Sequence, residues 1–353
     1  RVPDLRRDLH HRRPHRTGTP SRADLLRYAL VLDPCGPARR RVVEPAIDSP
    51  GPNAIGAALG LLGDEWSLLI IRQAFTGVRT YGGFKSHLAI SDAVLSARLA
   101  TLTRAGVLAR AADNDEYLLS ERGTDLWRLM LCIWAWEQDY VVAHRAALPT
   151  MVHASCGHEF RPVLRCTACV APVATDDIDV RFGPSGGFTR SAPVGATRRR
   201  SSRTATASDE PGLFPETMAI IGSRWSSAIL GATFLGARRF RDFERLLGAP
   251  PSVIAGRLKL FVELDVLHQS GTAYELTPKG RALLPVVGCF VAWGERWLPA
   301  PDGPAILATH RQCGKFFVPQ LACNNCSAEL SPEAIEITPS LIAADSSLVR
   351  ELR

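Results

Sequence analysis

The chain repeats itself. Gly63–Ile71 (GDEWSLLII) answers Gly222–Leu230 (GSRWSSAIL) at an offset of 159 residues, and the same offset carries Phe84 to Phe243, Arg98 to Arg257 and Leu108 to Leu267. The offset then drops to 157 and holds from Tyr117 and Tyr274 through Gly123 and Gly280 and Trp136 and Trp293 to Cys169 and Cys326. A self-similarity this long makes the chain two copies of one unit, and each copy must find the same fold. At 353 residues there is room for both copies and their connections.

Within the first copy the apolar spacing predicts a short helix over Ala54–Leu62, stopped by Gly63, and a second over Trp66–Phe75, ended by Gly77. A third spans Tyr81–Leu88. Ser91 is placed to cap a fourth, which buries Val94, Leu95, Leu99 and Leu102 at 3.6-residue spacing and closes at Gly106. Val107–Arg110 and Tyr117–Leu119 flank a polar tip and read as a hairpin, after which Ser120 caps a long helix running from Thr124 to about Ala143.

Four helices, a two-stranded hairpin and a closing helix are the order of a winged helix-turn-helix. The residues resemble the HxlR-type family of bacterial transcriptional regulators. The likeness rests on G-D-x-W at the opening, R-x-F before the third helix, R-L inside the fourth, Y-x-L-(S/T)-x-x-G after the wing and W-(A/G) near the end of the last helix. It covers 53–143 and 212–299. The expected fold is mainly α with small β hairpins. Residues 1–50 are expected as a disordered basic tail, 51–148 and 213–300 as two winged helix-turn-helix domains, and 149–183 and 301–335 as a zinc-ribbon-like knuckle after each, with 184–212 as a linker and 336–353 as a C-terminal tail.

A helix offered by a short turn fits the major groove, where base edges carry a distinct donor and acceptor code. The groove-facing positions are Ser91, Asp92, Ala93, Ser96 and Ala97 in the first copy and Pro250, Pro251, Ser252, Ala255 and Gly256 in the second. Candidate phosphate contacts are Arg79, Lys85, Arg238, Arg239, Arg241 and Lys259, near helix starts where backbone N–H groups also point outward. Arg98 and Arg257 suit either a phosphate or an ion pair that braces the motif. The net charge of +7 gives little guidance alone, because 38 of the 42 basic residues are arginine in an alanine- and glycine-rich chain. Its distribution says more, with residues 1–50 at +5 and 213–300 at +3. Against strong binding stand the acidic first wing tip (Asp113, Asn114, Asp115, Glu116) and the second fourth helix, which lacks a Ser cap and carries Gly256 inside.

The last helix of each copy bears more apolar surface than its unit can cover, including Trp127, Trp134 and Trp136 in one and Phe290, Trp293 and Trp297 in the other. In the family that the chain resembles, such helices make a dimer interface. Fused copies can meet the same need as an intramolecular pseudo-dimer, with a homodimer of chains as the other arrangement. Cys132 and Cys289 on these helices read as small buried hydrophobes.

Each copy ends in His-x2-Cys-x9-Cys-x2-Cys: His153, Cys156, Cys166 and Cys169, then His310, Cys313, Cys323 and Cys326. Thiolates and imidazoles at this spacing suit a tetrahedral structural zinc, one per copy, with no open position for a substrate. Metal-free or redox-active thiols are the other reading. Nine cysteines are too few for a disulfide scaffold, and a reducing cytosol is the expected setting. Asn53 and Gly212 occupy the place where some similar regulators carry an oxidant-sensing cysteine, so that mechanism is not expected. No apolar stretch reaches 18 residues, so no membrane span is expected. Nor is there a nucleophile–base set or a phosphate loop after a strand, so no enzyme is expected. The expected activity is sequence-specific binding of double-stranded DNA; its rival is a protein-interaction module that has lost that binding.

Overall fold

The computed structural model describes residues 51–88, 90–112, 114–146, 148–191 and 214–338. The expected basic tail, most of the linker, Asp113 and most of the C-terminal tail lie outside them.

The first copy begins α1 (Ala54–Leu62), α2 (Glu65–Phe75), α3 (Tyr81–His87) and α4 (Asp92–Arg104). Side-chain caps set these starts. Asn53 accepts from Gly56 N–H at 2.9 Å, Asp64 from Ser67 N–H at 3.1 Å, and Thr80 from Gly83 N–H at 3.1 Å. Ser91 does stand at the start of α4, but its hydroxyl makes no capping bond. The wing follows as β1 (Leu108–Arg110) antiparallel to β2 (Tyr117–Leu119).

The expected long closing helix is broken. Ser120 caps only α5 (Glu121–Thr124), and the chain re-enters helix as α6 (Trp127–Tyr140) and α7 (Val142–Arg145). The break is a tight turn at Asp125–Leu126, where the Leu126 N–H bonds the Gly123 carbonyl at 3.2 Å; beside it a Cβ on Gly123 would lie 2.1 Å from the Val107 carbonyl oxygen, and one on Gly280 2.1 Å from that of Val266. The glycine of Y-x-L-(S/T)-x-x-G therefore lets α5 sit directly on the backbone that leads into the wing.

The second copy repeats this as α9 (Pro215–Ile221), α10 (Arg224–Phe234), α11 (Phe240–Leu247), α12 (Pro251–Glu263), β7 (Leu267–Ser270), β8 (Ala273–Leu276), α13 (Pro278–Arg281) and α14 (Leu284–Trp297), with α8 (Phe188–Ser191) preceding it. Pro250 holds the cap position of α12, and a methyl at Gly256 would meet open space. Among the described residues no single helix is long and apolar enough to cross a membrane.

The copies meet through equivalent residues. Cys132 and Cys289 are both buried, and their Sγ atoms lie 3.7 Å apart. Trp136 Nε1 donates to the Lys279 carbonyl at 3.1 Å and Trp293 Nε1 to the Arg122 carbonyl at 3.0 Å. Since 136 answers 293 and 122 answers 279, the two bonds are one contact made twice. Part of the apolar surface of the closing helices is covered here.

The knuckles differ from expectation. They are not two separate ribbons. β5 (Pro162–Cys166) pairs with its own counterpart β10 (Pro319–Cys323), with Leu164 opposite Leu321 at the centre. β3 (Thr150–His153) pairs with β4 (His158–Glu159) and with β11 (Ile335–Thr338) of the other copy, while β6 (Ile178–Phe182) pairs with β9 (Ile306–His310). Each copy thus supplies a strand to the other's ladder, and Ile335–Thr338, expected in part as tail, is one of them.

Candidate nucleic-acid interface and metal centres

The helix-turn-helix of each copy is α3–α4 or α11–α12. Ser91, Asp92, Ala93, Ser96 and Ala97 are exposed, as are Pro250, Pro251, Ser252, Ala255 and Gly256. Leu95, Leu99 and Leu102 on one helix, and Ile254, Leu258 and Phe261 on the other, fix the opposite face in the core.

In the first copy several expected contacts are committed internally. Lys85 Nζ donates to the Ile90 carbonyl at 2.7 Å and lies 3.1 Å from the Asp92 carboxylate. The Tyr81 hydroxyl donates to Asp92 Oδ1 at 2.9 Å and sits 3.3 Å from Ser96 Oγ. These bonds from Lys85 and Tyr81 hold the Asp92 carboxyl below its ordinary range. Arg98 pairs with Asp64 at 3.2 Å, tying α4 to the start of α2. Arg79 remains exposed in the turn before α3.

The second copy is built otherwise. Ser223 replaces Asp64, and Arg257 makes no ion pair among the described residues. Arg238 donates to the Thr233 carbonyl at 2.9 Å and the Ala237 carbonyl at 3.1 Å. Its neighbours Arg239 and Arg241 are exposed, and Asp242 caps α11 by accepting from the Arg239 N–H at 2.9 Å. Lys259 lies on the outer face of α12, 3.7 Å from Glu263. Two residues outside the sequence expectations stand beside these. Tyr81, expected only as the start of α3, bonds Asp92, and Arg245, 78% exposed at the side chain, extends the row of Arg241 one turn along α11. Its i,i+4 spacing from Arg241 was the available signal.

The eight cysteine and histidine ligand candidates all converge, but in a different partition. One cluster is His153, Cys156, Cys323 and Cys326; the other is Cys166, Cys169, His310 and Cys313. The expectation of one cluster per copy is overturned. The cause is strand direction: β5 separates the His153–Cys156 turn from the Cys166–Cys169 turn by about 15 Å of extended chain. Antiparallel pairing with β10 brings Cys323 beside Pro162 and Cys166 beside Pro319. Each turn therefore meets the other copy's turn.

The geometry fits a tetrahedral ion. Metal–sulfur bonds of about 2.3 Å and metal–nitrogen bonds of about 2.0 Å put ligand atoms roughly 3.5–3.8 Å apart. Here Cys156 Sγ is 3.4 Å from His153 Nδ1 and 3.9 Å from Cys323 Sγ, and Cys326 Sγ is 3.3 Å from His153 Nδ1. In the second cluster Cys166 and Cys313 are 3.9 Å apart, with His310 Nδ1 3.3 Å from Cys169 and 3.4 Å from Cys313. Burial opposes ionisation of Cys313, but the Lys315 N–H, His310 and the facing thiols outweigh it and bring this thiol to about 7. Burial carries its neighbour Cys166 the other way, to about 11. These clusters can hold a metal.

A family model described as HxlR-like helix-turn-helix matches the chain twice, over residues 61–145 and 220–302. The HTH-type transcriptional regulator MT3179 of Mycobacterium tuberculosis is 35% identical over 127 residues, which cover 34% of this chain and 79% of that protein. YvaP of Bacillus subtilis, likewise an HTH-type transcriptional regulator by name, is 30% identical over 93 residues, 24% of this chain and 86% of its own. The crystal structure of PA1607 is 32% identical, covers 34% of this chain and 87% of that one, and has a TM-score of 0.31.

Proposed function

The chain belongs to the HxlR-like helix-turn-helix family and is a DNA-binding transcriptional regulator, and from that premise we propose that it acts as an intramolecular pseudo-dimer. Helices α4 and α12 enter successive major grooves, about 34 Å apart, as in dimeric helix-turn-helix proteins. The observation that carries this reading is the reciprocal bonding of Trp136 and Trp293 across the copies, because a contact made twice by equivalent residues relates the two units by a local two-fold axis.

The halves contribute unequally. Lys85 and Arg98 brace the first motif, leaving Arg79 for phosphate, while Arg238 braces the second and Arg239, Arg241, Arg257 and Lys259 give it its grip on the backbone. Ser91, Ser96 and Ser252 offer only hydroxyls to base edges, and an ionised Asp92 accepts only from groups such as the cytosine amine. The two half-sites accordingly differ. Both clusters hold structural zinc; four protein ligands leave no position for a substrate, and the thiolates and imidazoles lock the copies together.

Selection of bound duplexes from a random pool is expected to enrich two unequal half-sites one helical turn apart. The Arg239→Ala, Arg241→Ala double variant is expected to weaken binding uniformly across sequences and to lower the salt slope by about 2. Unchanged affinity and slope would remove the assignment. The second reading, a protein-interaction module, is favoured by the internally committed Lys85, Arg98 and Asp92; absent or salt-insensitive duplex binding would select it.

A further inference from the structure

Duplication allows each wall of a space in one copy to be compared with its counterpart in the other. One apolar cavity of about 170 Å³ lies where the copies meet, walled by β6 and α8 of the first and by α10, α14 and β9 of the second. Val180, Phe182 and Phe188 face Trp225, Phe290 and Val291 across it.

At the corresponding place in the first copy, Trp134 stands for Val291, Leu131 for Gly288, Met151 for Ala308 and Leu69 for Ala228. Leu69, Leu131 and Trp134 are 1%, 2% and 3% exposed, whereas Ala228, Gly288 and Val291 are half-buried and line open space. The second copy carries the smaller side chain at all four positions. An apolar void left unfilled forfeits packing on every wall, and one of about 150 Å³ already admits a benzene-sized guest.

Among the described residues, the lining includes one cation. Arg224 is exposed, makes no ion pair among the described residues, and holds its guanidinium 4.3 Å over the Trp225 ring. Its counterpart in the first copy is Glu65. The nearby hydroxyls are spent, since Ser227 donates to the Ile221 carbonyl at 2.8 Å and Ser191 to that of Gly187 at 2.9 Å.

We propose that this cavity binds a small amphipathic monoanion, a medium-chain or aromatic carboxylate, with its apolar body between the copies and its acid on Arg224. Because α10 packs directly on the recognition helix α12 while β6 belongs to the first copy, the bound molecule fixes the second motif relative to the first. That consequence rests on the DNA-binding reading; the binding itself does not.

Calorimetric titration of the full chain with octanoate and with octanol tests it, alongside duplex affinity measured with and without octanoate. Saturable octanoate binding is expected, with octanol weaker by about tenfold through loss of the charged contact. Gly288→Leu and, independently, Ala308→Met restore the first copy's residues and are expected to abolish binding while melting no lower than the parent. Arg224→Glu is expected to remove the preference for the acid. Failure of the parent chain to bind octanoate, or parental affinity in a folded Gly288→Leu chain, overturns the proposal. Octanoate binding by a chain with no duplex affinity would sink the regulator reading and leave the cavity assignment standing.

Discussion

Glu295 is a carboxylate nearly withdrawn from water, with Oε1 accepting from the Ala305 N–H at 2.7 Å. Burial dominates that bond and pushes the group up to about 7 from an ordinary value of 4.5. Between those values the unfolded chain releases this proton and the folded chain keeps it. The associated stability is therefore full below about pH 4.5 and is lost as pH rises to about 7. Glu295→Gln, which keeps the shape and stays neutral, is expected to flatten the decline of melting temperature over that interval. Parallel curves for parent and variant would show that Glu295 contributes no such term. This residue was invisible to pattern reading, since its environment comes from the Ala305–Ile306 backbone folding over it. Arg98 was half legible: its pairing with Asp64 could not be read from the sequence, because only the tertiary packing of α4 on α2 brings Asp64 near.

Among elements, the helices and wings were legible because their signals are local: apolar spacing, caps and glycines. The seating of α5 on the backbone before the wing was not, because Gly123 matters through the Val107 carbonyl beneath it. The candidate metal ligands were legible by type and spacing but not by grouping, since grouping depends on how β5 meets β10. The partition makes a sharp expectation. Cys156 and Cys326 belong to one cluster despite lying in different copies. The double variant Cys156→Ser, Cys326→Ser is therefore expected to retain one zinc per chain by elemental analysis, where the parent retains two. A metal-free double variant would restore one site per copy and refute the crossed arrangement.

The whole molecule depends on that crossing. Neither copy finishes its own ladder, because β3 is completed by β11 and β9 by β6. A half-chain of residues 51–191 carries complementary pieces, since Cys166 and Cys169 are the counterparts of Cys323 and Cys326. It is expected to assemble as a homodimer with two metal ions per pair, His153 and Cys156 of one molecule facing Cys166 and Cys169 of another. Sedimentation equilibrium distinguishes this from a metal-loaded monomer, which would mean that a knuckle can close on itself.

The pairing of Leu164 with Leu321 joins two stretches of a single polypeptide, so the pseudo-dimer proposed above would not come apart on dilution. Occupancy of an operator should then rise in simple proportion to the amount of chain synthesised, without the threshold that separate subunits impose at low copy number. A cell with a handful of these molecules would hold a handful of finished readers.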